Sequence, residues 1–309
     1  MFHKRDYIME NVGRPIEYRS VTIRKERDGA TVESVLKHEL EVSGGRISRL
    51  KRVDRGLLLN GSPVRTTRRV SEGDEVSVLI SDEPLKRTAE AVPFPLDIVY
   101  EDRYLLIINK PDGISVHPTI NPTEMTLEHA FAAYLGPCLV AHPVSRLDKG
   151  TTGLMTVVKY GYVQELLKRK MHSEEFRREY RGIAVGHVTP ESGEVYGAID
   201  FAGEASYKRT IVENGPEART GYEVLSYHGS YTLLRLIPYT GKTHQLRVHM
   251  SSIGFPLAGD FMYGAEDRSL IGRPALHSYE LWIRHPMTGD DLHFVCPLPE
   301  DMRHILETN

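Results

Sequence analysis

The sequence predicts an α+β protein in which a small N-terminal α+β module precedes a larger domain with a mixed, largely antiparallel sheet. Its 309 residues are enough for about two domains. Strand-like apolar runs dominate the second part of the chain, and helical patterns separate them. We expect an N-terminal extension at 1–18, the module at 19–81 and the larger domain at 96–309. Residues 82–95, with three prolines and few apolar residues, have the composition of a linker.

The module begins with two helical patterns and continues with strands. Residues 31–41 carry apolar side chains at helical spacing, and Thr31 occupies the capping position. A second, basic helical pattern follows at 46–53. Residues 56–61 predict a strand that ends in an Asn-Gly turn, and residues 72–80 predict a turn followed by an alternating strand.

The larger domain contains five runs that predict strands: 105–110, 153–159, 180–186, 231–238 and 292–298. Helical patterns lie between them at 126–135 and 163–172. A further helix is predicted near residue 246, with Thr243 as its N-cap and Gly254 at its end. This mixture indicates an α+β domain with extensive antiparallel sheet.

Composition excludes several classes of protein. The chain is 40% hydrophobic and 26% charged, as in ordinary globular proteins. No apolar run reaches about 18 residues, and the N-terminus lacks the apolar region of a secretory signal. Cys138 and Cys296, the two cysteines, form neither a disulfide framework nor a metal-ligand cluster. We therefore expect a cytoplasmic protein without membrane association and without a metal. We also expect a monomer, although nothing in the composition determines the oligomeric state.

Positive charge is concentrated in the module although the whole chain has a net charge of -3. Residues 44–69 contain eight Lys or Arg residues and one acidic residue, Asp54. A basic patch of this kind attracts phosphates even on a mildly acidic protein, because salt screens charges farther than about 8–10 Å away. The candidate phosphate-binding residues here are Arg46, Arg49, Lys51, Arg52 and Arg55.

A first candidate reactive site centres on Asp148, which precedes a predicted strand. Arg146 and Lys149 flank it, and small hydroxyl residues follow. Neighbouring positive charge favours the ionised form and lowers the pKa of a carboxyl group. An ionised carboxylate can act as a nucleophile or a base. The alternative is a surface turn in which the aspartate caps backbone amides.

A second candidate site lies in residues 239–249. Arg247 is predicted in the first turn of a helix, where its guanidinium could contact a carboxylate at two points; the alternative is a solvated arginine. His244 and His249 are five residues apart, which is not the spacing of a zinc-binding helix. Tyr180 begins a strand, and its ring is either half-buried there or stacked on an unpaired base.

Four sequence blocks in the same order resemble the RluA family of pseudouridine synthases. They are NKPDGISVHPT at 109–119, SRLDKGTTGL at 145–154, the block from YTGKTHQLRVH to GDFMYG at 239–264, and ALHSYELWIRHPMTG at 275–289. The module, at about 19–80, resembles a small RNA-binding fold first known from a ribosomal protein, the S-four fold, which commonly precedes the catalytic domain in this family.

The resemblance implies a pseudouridine synthase fold and an isomerase that converts uridine in RNA to pseudouridine without a cofactor. Asp148 would be the catalytic aspartate, Arg247 would pair with it, and Tyr180 would stack on the target base. Arg146 would fill the position that the flipped nucleotide leaves in the RNA, or it would contact the phosphates of that nucleotide. Lys242 occupies a position where the family has arginine, and it keeps the charge.

Two further positions depart from the family pattern, which often has histidine where this chain has Ser145 and lysine where it has Arg178. Ribosomal RNA of the large subunit is the preferred substrate, and transfer RNA is the alternative. A non-catalytic ribosome-assembly factor and a glycoside hydrolase are the rival functions. The sequence leaves open whether Asp148 attacks the sugar, removes a sugar proton or stabilises positive charge.

Overall fold

The structure of the protein is a computed structural model, which describes residues 16–81, 89–118, 123–137, 139–203 and 207–308. Most of the predicted N-terminal extension, the first half of the predicted linker and Cys138 lie outside the described residues. A four-stranded sheet and an eleven-stranded sheet organise the described part of the chain.

The smaller sheet lies within the predicted module. Its strands are β1 (Tyr18–Thr22), β2 (Leu57–Leu59), β3 (Ser62–Pro63) and β4 (Glu75–Leu79). They are antiparallel and follow the order β1-β4-β2-β3. The predicted Asn-Gly turn joins β2 to β3, and its two residues have φ values of 50° and 77°. Both values are positive, as a two-residue type I′ hairpin turn requires.

Two helices, α1 (Val32–His38) and α2 (Gly44–Leu50), share a core with this sheet. The hydroxyl of Thr31 accepts a hydrogen bond from the backbone three residues later, at 3.3 Å, so the predicted cap is confirmed. The second helix begins and ends earlier than the predicted 46–53. It begins early because Ser43 caps it in the same way, at 3.2 Å.

The larger sheet follows the order β11-β10-β12-β13-β9-β14-β8-β6-β5, with β15 beside β14 and β7 beside β8. Among the described residues, all of its strand pairs are antiparallel except β8 with β14. The strands are β5 (Asp97–Glu101), β6 (Leu105–Lys110), β7 (His142–Pro143), β8 (Thr152–Val158), β9 (Phe176–Val185), β10 (Ser192–Phe201), β11 (Arg209–Val212), β12 (Glu217–His228), β13 (Tyr231–Pro238), β14 (Leu276–Arg284) and β15 (Asp291–Val295).

Helices cover both faces of this sheet. They are α3 (Leu127–Leu135), α4 (Gly161–Lys170), α5 (Gln245–Ser252) and α6 (Glu300–Thr308). Along β6, Leu105 and Ile107 belong to the core that includes α4, whereas Leu106 and Ile108 belong to the core that includes α3 and α5. Burial on both faces explains why β6 is a continuous apolar run in the sequence. In the described ranges, no helix combines the length and hydrophobicity needed to cross a bilayer.

The module packs against one face of α4. The Tyr162 hydroxyl donates a hydrogen bond to the carbonyl of Leu40. Glu165 accepts hydrogen bonds from the Ser43 hydroxyl at 2.7 Å and from Nε of Arg46 at 3.0 Å. Residues of the module and residues of the larger domain form a single buried apolar cluster. The two parts of the chain are therefore joined by a packed, hydrogen-bonded interface.

Candidate active site

A cavity of about 880 Å³ lies where three parts of the larger domain meet. These are the segment between β7 and β8, the first half of β9 and the segment from β13 into α5. Residues 115–118 and two residues of α4, Gln164 and Lys168, add to the lining. All five site residues predicted in this domain line the cavity, although they are far apart in sequence: Arg146, Asp148, Tyr180, Lys242 and Arg247.

The loop that carries Asp148 is supported from behind by a buried lysine. Nζ of Lys110 donates hydrogen bonds to the carbonyls of Pro111, Lys149 and Thr151, at 2.9 to 3.0 Å. Burial lowers the pKa of Lys110 to about 8, although the charges of nearby aspartates act in the opposite direction. These three hydrogen bonds tie the backbone that follows Asp148 to the segment at Pro111, and the side chain of Asp148 is 28% exposed.

Arg247 lies in the first turn of α5 and joins two carboxylates. Its Nη1 is 3.3 Å from Oδ2 of Asp148. Its Nε and Nη2 donate to the two oxygens of Asp260, at 2.7 and 2.8 Å. Burial disfavours the charge on Arg247, but the hydrogen bonds and charge of Asp260, followed by the charge of Asp148, raise the pKa above its usual value. The site therefore contains a permanent positive charge directed at Asp148.

Asp260 is the partner of Arg247 that sequence reasoning missed. Its position depends on Gly259, whose φ is +68° and where a Cβ would lie 2.5 Å from the carbonyl oxygen of Arg273. Only glycine fits this turn, which brings Asp260 back toward α5. The Gly-Asp pair is the one signal in the sequence that could have indicated it.

His244 lines the same cavity, close to Asp148. Its Nδ1 is 2.8 Å from the Tyr263 hydroxyl, and its Nε2 is 3.9 Å from Oδ2 of Asp148. The N-cap of α5 is His244, with φ +58°, so the prediction of Thr243 as N-cap was wrong by one residue. The side chain of Gln245 accounts for the difference, because it accepts the backbone hydrogen bond from Lys242 at 3.0 Å.

Tyr180 and the surrounding cations complete the cavity. Tyr180 is 5% exposed on β9, with its side chain at the cavity wall. Among the described lining residues, seven are Lys or Arg and one, Asp148, is acidic: the cations are Arg146, Lys149, Lys168, Arg178, Arg209, Lys242 and Arg247. No group of three His, Cys, Asp or Glu side chains in the described ranges has the arrangement of a metal site. The charge of the cavity is therefore suited to a polyanion, and Asp148 is the one carboxylate among its described lining residues.

The basic residues predicted in the module separate into two groups. Arg49, Lys51, Arg52 and Arg55 are exposed. Arg46 is 4% exposed and pairs with Glu165 of α4 at 3.0 Å. Its burial makes it part of the interface between the module and the larger domain, so we leave it out of the exposed basic surface formed by the other four.

Comparison with known proteins agrees with this geometry. The family described as RNA pseudouridylate synthase matches residues 104–252. A relative from Bacillus subtilis (strain 168), the uncharacterized RNA pseudouridine synthase YlyB, is 35% identical over 82% of this chain and 86% of its own length. Ribosomal large subunit pseudouridine synthase D of Escherichia coli (strain K12) is also 35% identical, over 84% of this chain and 85% of its own length.

Solved structures agree as well. The structure titled human RNA pseudouridylate synthase domain containing 4 has a TM-score of 0.55 and 27% identity, over 68% of this chain and 92% of that one. The predicted α+β fold with a large, mostly antiparallel sheet is confirmed. Together with the sequence relatives, this likeness places the chain in the RluA family of RNA pseudouridine synthases, which are isomerases.

Proposed function

We propose that this enzyme converts uridine to pseudouridine in large-subunit ribosomal RNA and that Asp148 is its catalytic residue. The substrate class is supported by relatives named as ribosomal large subunit pseudouridine synthase D, which are 35 to 38% identical to this chain. The observation that carries the proposal is the contact between Asp148 and Arg247 in a cation-lined cavity, at 3.3 Å. The two residues are 99 positions apart in sequence.

The reaction breaks the bond between C1′ of the ribose and N1 of uracil, turns the base, and forms a bond from C1′ to C5. C5 loses a proton and N1 gains one, so atoms balance without a cofactor. Cleavage of the first bond develops positive charge on the sugar, as in glycoside hydrolysis. Attack by Asp148 on the sugar and removal of a sugar proton both require an ionised carboxylate, which Arg247 stabilises.

The target uridine must leave its stack to reach Asp148, because a stacked base is inaccessible. Extrusion costs a few kcal/mol. Stacking on Tyr180 contributes about 1–3 kcal/mol. Arg146, which is exposed at the cavity, then occupies the vacated position or contacts phosphates, and Lys242 adds a further phosphate contact.

The first test replaces the carboxylate. Asp148→Asn should abolish pseudouridine formation while RNA affinity stays within about three-fold, because the side-chain shape and the cavity are unchanged. Carbodiimide mapping of cellular RNA with and without the gene identifies the target, and conversion is then measured on that RNA. Normal conversion by purified Asp148→Asn would disprove the catalytic assignment. If removal of the gene abolishes pseudouridine only at sites in transfer RNA, the substrate is transfer RNA and not ribosomal RNA.

The second test concerns the module at 19–81, which we propose binds RNA through its exposed basic surface. Neutralising Arg49 and Arg52 together should weaken binding and reduce the slope of log affinity against log salt by about two, since each phosphate contact contributes about one. Arg284→Gln, an exposed change on β14, is the matched control. An unchanged slope in the double variant would remove this surface from the RNA interface.

A further inference from the structure

His244 is a cavity-lining residue that neither a metal site nor the Asp148–Arg247 contact explains. Its imidazole ring lies edge-on to the ring of Tyr263, with centroids 5.6 Å apart. Its backbone has φ +58°, in the left-handed region, which costs free energy for a residue other than glycine. A strained backbone that projects a side chain into a reactive cavity indicates a functional demand on that side chain.

The hydrogen-bond partners assign the tautomer of His244. The Tyr263 oxygen accepts a hydrogen bond from the backbone N–H of Arg209, at 2.9 Å, and lies 2.8 Å from Nδ1 of His244. The phenol proton needs an acceptor, and Nδ1 is the ring nitrogen within its reach, so we assign Nδ1 as that acceptor. In a neutral imidazole the proton is then on Nε2. Burial lowers the pKa of His244, and although Asp148 opposes this effect, Arg247 reinforces it. The ring is therefore neutral and presents Nε2–H to the cavity.

The space between Nε2 of His244 and Oδ2 of Asp148 fits one bridging oxygen atom. The distance of 3.9 Å from Nε2 to Oδ2 is too long for a direct hydrogen bond. An oxygen atom can lie about 2.8 Å from both atoms at once. The group that fits must accept from the imidazole and donate to the carboxylate. A hydroxyl does both, whereas a uracil carbonyl only accepts and a uracil N–H only donates.

We propose that His244 contacts the substrate, donating its Nε2–H to the ribose 2′-hydroxyl of the target uridine while that hydroxyl donates to Asp148. This inference rests on the proposed function, in which Asp148 acts at the neighbouring sugar carbon. His244 would then make the enzyme selective for ribose over deoxyribose at the modified position. Tyr263 is a positioning residue, because its hydroxyl fixes the tautomer.

The test measures equilibrium binding of two hairpins made on the sequence of the mapped target. Both carry pseudouridine at the modified position, so no chemistry intervenes, and they differ only in having ribose or 2′-deoxyribose there. Wild type should prefer the ribose hairpin, and His244→Asn should reduce that preference about five-fold, the effect of one hydrogen bond. Asparagine tolerates the left-handed backbone but does not reach the position of Nε2. Affinity for the deoxyribose hairpin should not change.

His244→Gln is the conservative control, since its amide nitrogen reaches the position of Nε2 and should restore part of the preference. If His244→Asn does not fold, Tyr263→Phe replaces it, and its ribose preference should fall several-fold. A preference equal to wild type, or an equal loss for both hairpins, would overturn the inference while leaving the proposed function intact. Absence of pseudouridine formation by the wild-type enzyme would overturn both.

Discussion

The guanidinium of Arg247 contacts two carboxylates, those of Asp148 and Asp260. Asp260 has a fully buried side chain and accepts two hydrogen bonds from Arg247. It also accepts from the backbone N–H groups of Met262 and Tyr263, at 3.1 and 3.2 Å. This arrangement fixes the plane of the guanidinium and directs the remaining nitrogen at Asp148. Asp260 thus acts through Arg247 and does not need to contact the substrate.

Asp260→Asn tests this positioning role. The amide retains one acceptor oxygen but places an N–H₂ group against the guanidinium, which should turn Arg247 away from Asp148. We expect kcat to fall about 10²-fold, the typical effect of a displacement of about 1 Å, with KM within about three-fold. Single-turnover and steady-state assays on the mapped RNA separate the two constants. Asp291→Asn, an exposed change on β15, is the control; a lower melting temperature with unchanged kcat would show a merely structural role.

At the scale of elements, the loop that carries Asp148 is held in place by the strand that follows it, β8, whose first residues contact β14. His277 of β14 accepts from the Thr152 hydroxyl at 2.7 Å and donates through Nε2 to the carbonyl of Cys296 at 3.1 Å. At Gly153 a Cβ would lie 2.3 Å from the carbonyl oxygen of Ser278. The parallel contact between β8 and β14 therefore requires both a neutral histidine and a glycine.

The neutral state of His277 makes stability depend on pH. Burial lowers its pKa to about 4, whereas in the unfolded chain it is about 6.5. Between these values the unfolded state binds the extra proton, so this contribution is fully present above pH 6.5 and is lost as pH falls to 4. The loss is about 3 kcal/mol. Urea unfolding of wild type and His277→Gln should show stabilities that converge over this window; a constant difference would contradict the assignment.

Local signals in the sequence predict elements but not their long-range partners. Thr31 and the Asn60-Gly61 pair act within a few residues, so the first helix and the hairpin were predictable. Arg46 was predicted to bind RNA from its place in a basic stretch. The sequence could not reveal that it is buried against Glu165, because the two residues are 119 positions apart. Asp260 was missed for a similar reason, since its contact with Arg247 depends on a turn that only the folded chain reveals.

At the scale of the whole molecule, α4 connects the module to the cavity. Tyr162, Glu165 and Arg169 on one side of the helix contact the module, the last through a hydrogen bond to the carbonyl of Glu41 at 2.7 Å. Other α4 residues line the cavity, including Gln164 and Lys168. The same helix therefore contacts the module on one side and lines the cavity on another.

Glu165→Ala should weaken this connection. It removes the carboxylate that accepts from Ser43 and Arg46, and we expect the free energy of unfolding to fall by about 1–3 kcal/mol. Chemical denaturation monitored by circular dichroism measures the change. Glu174→Ala is the control, because that side chain is 92% exposed. Equal stability of the two variants would show that the interface is held by its apolar contacts alone.

The shared helix has a consequence for target choice. Because α4 contacts the module and also lines the cavity, an RNA bound both to the exposed basic surface and at Asp148 must span the distance between them. We expect the modified nucleotide to be selected by its distance, along the folded RNA, from the RNA segment that binds the module, in addition to the bases around it.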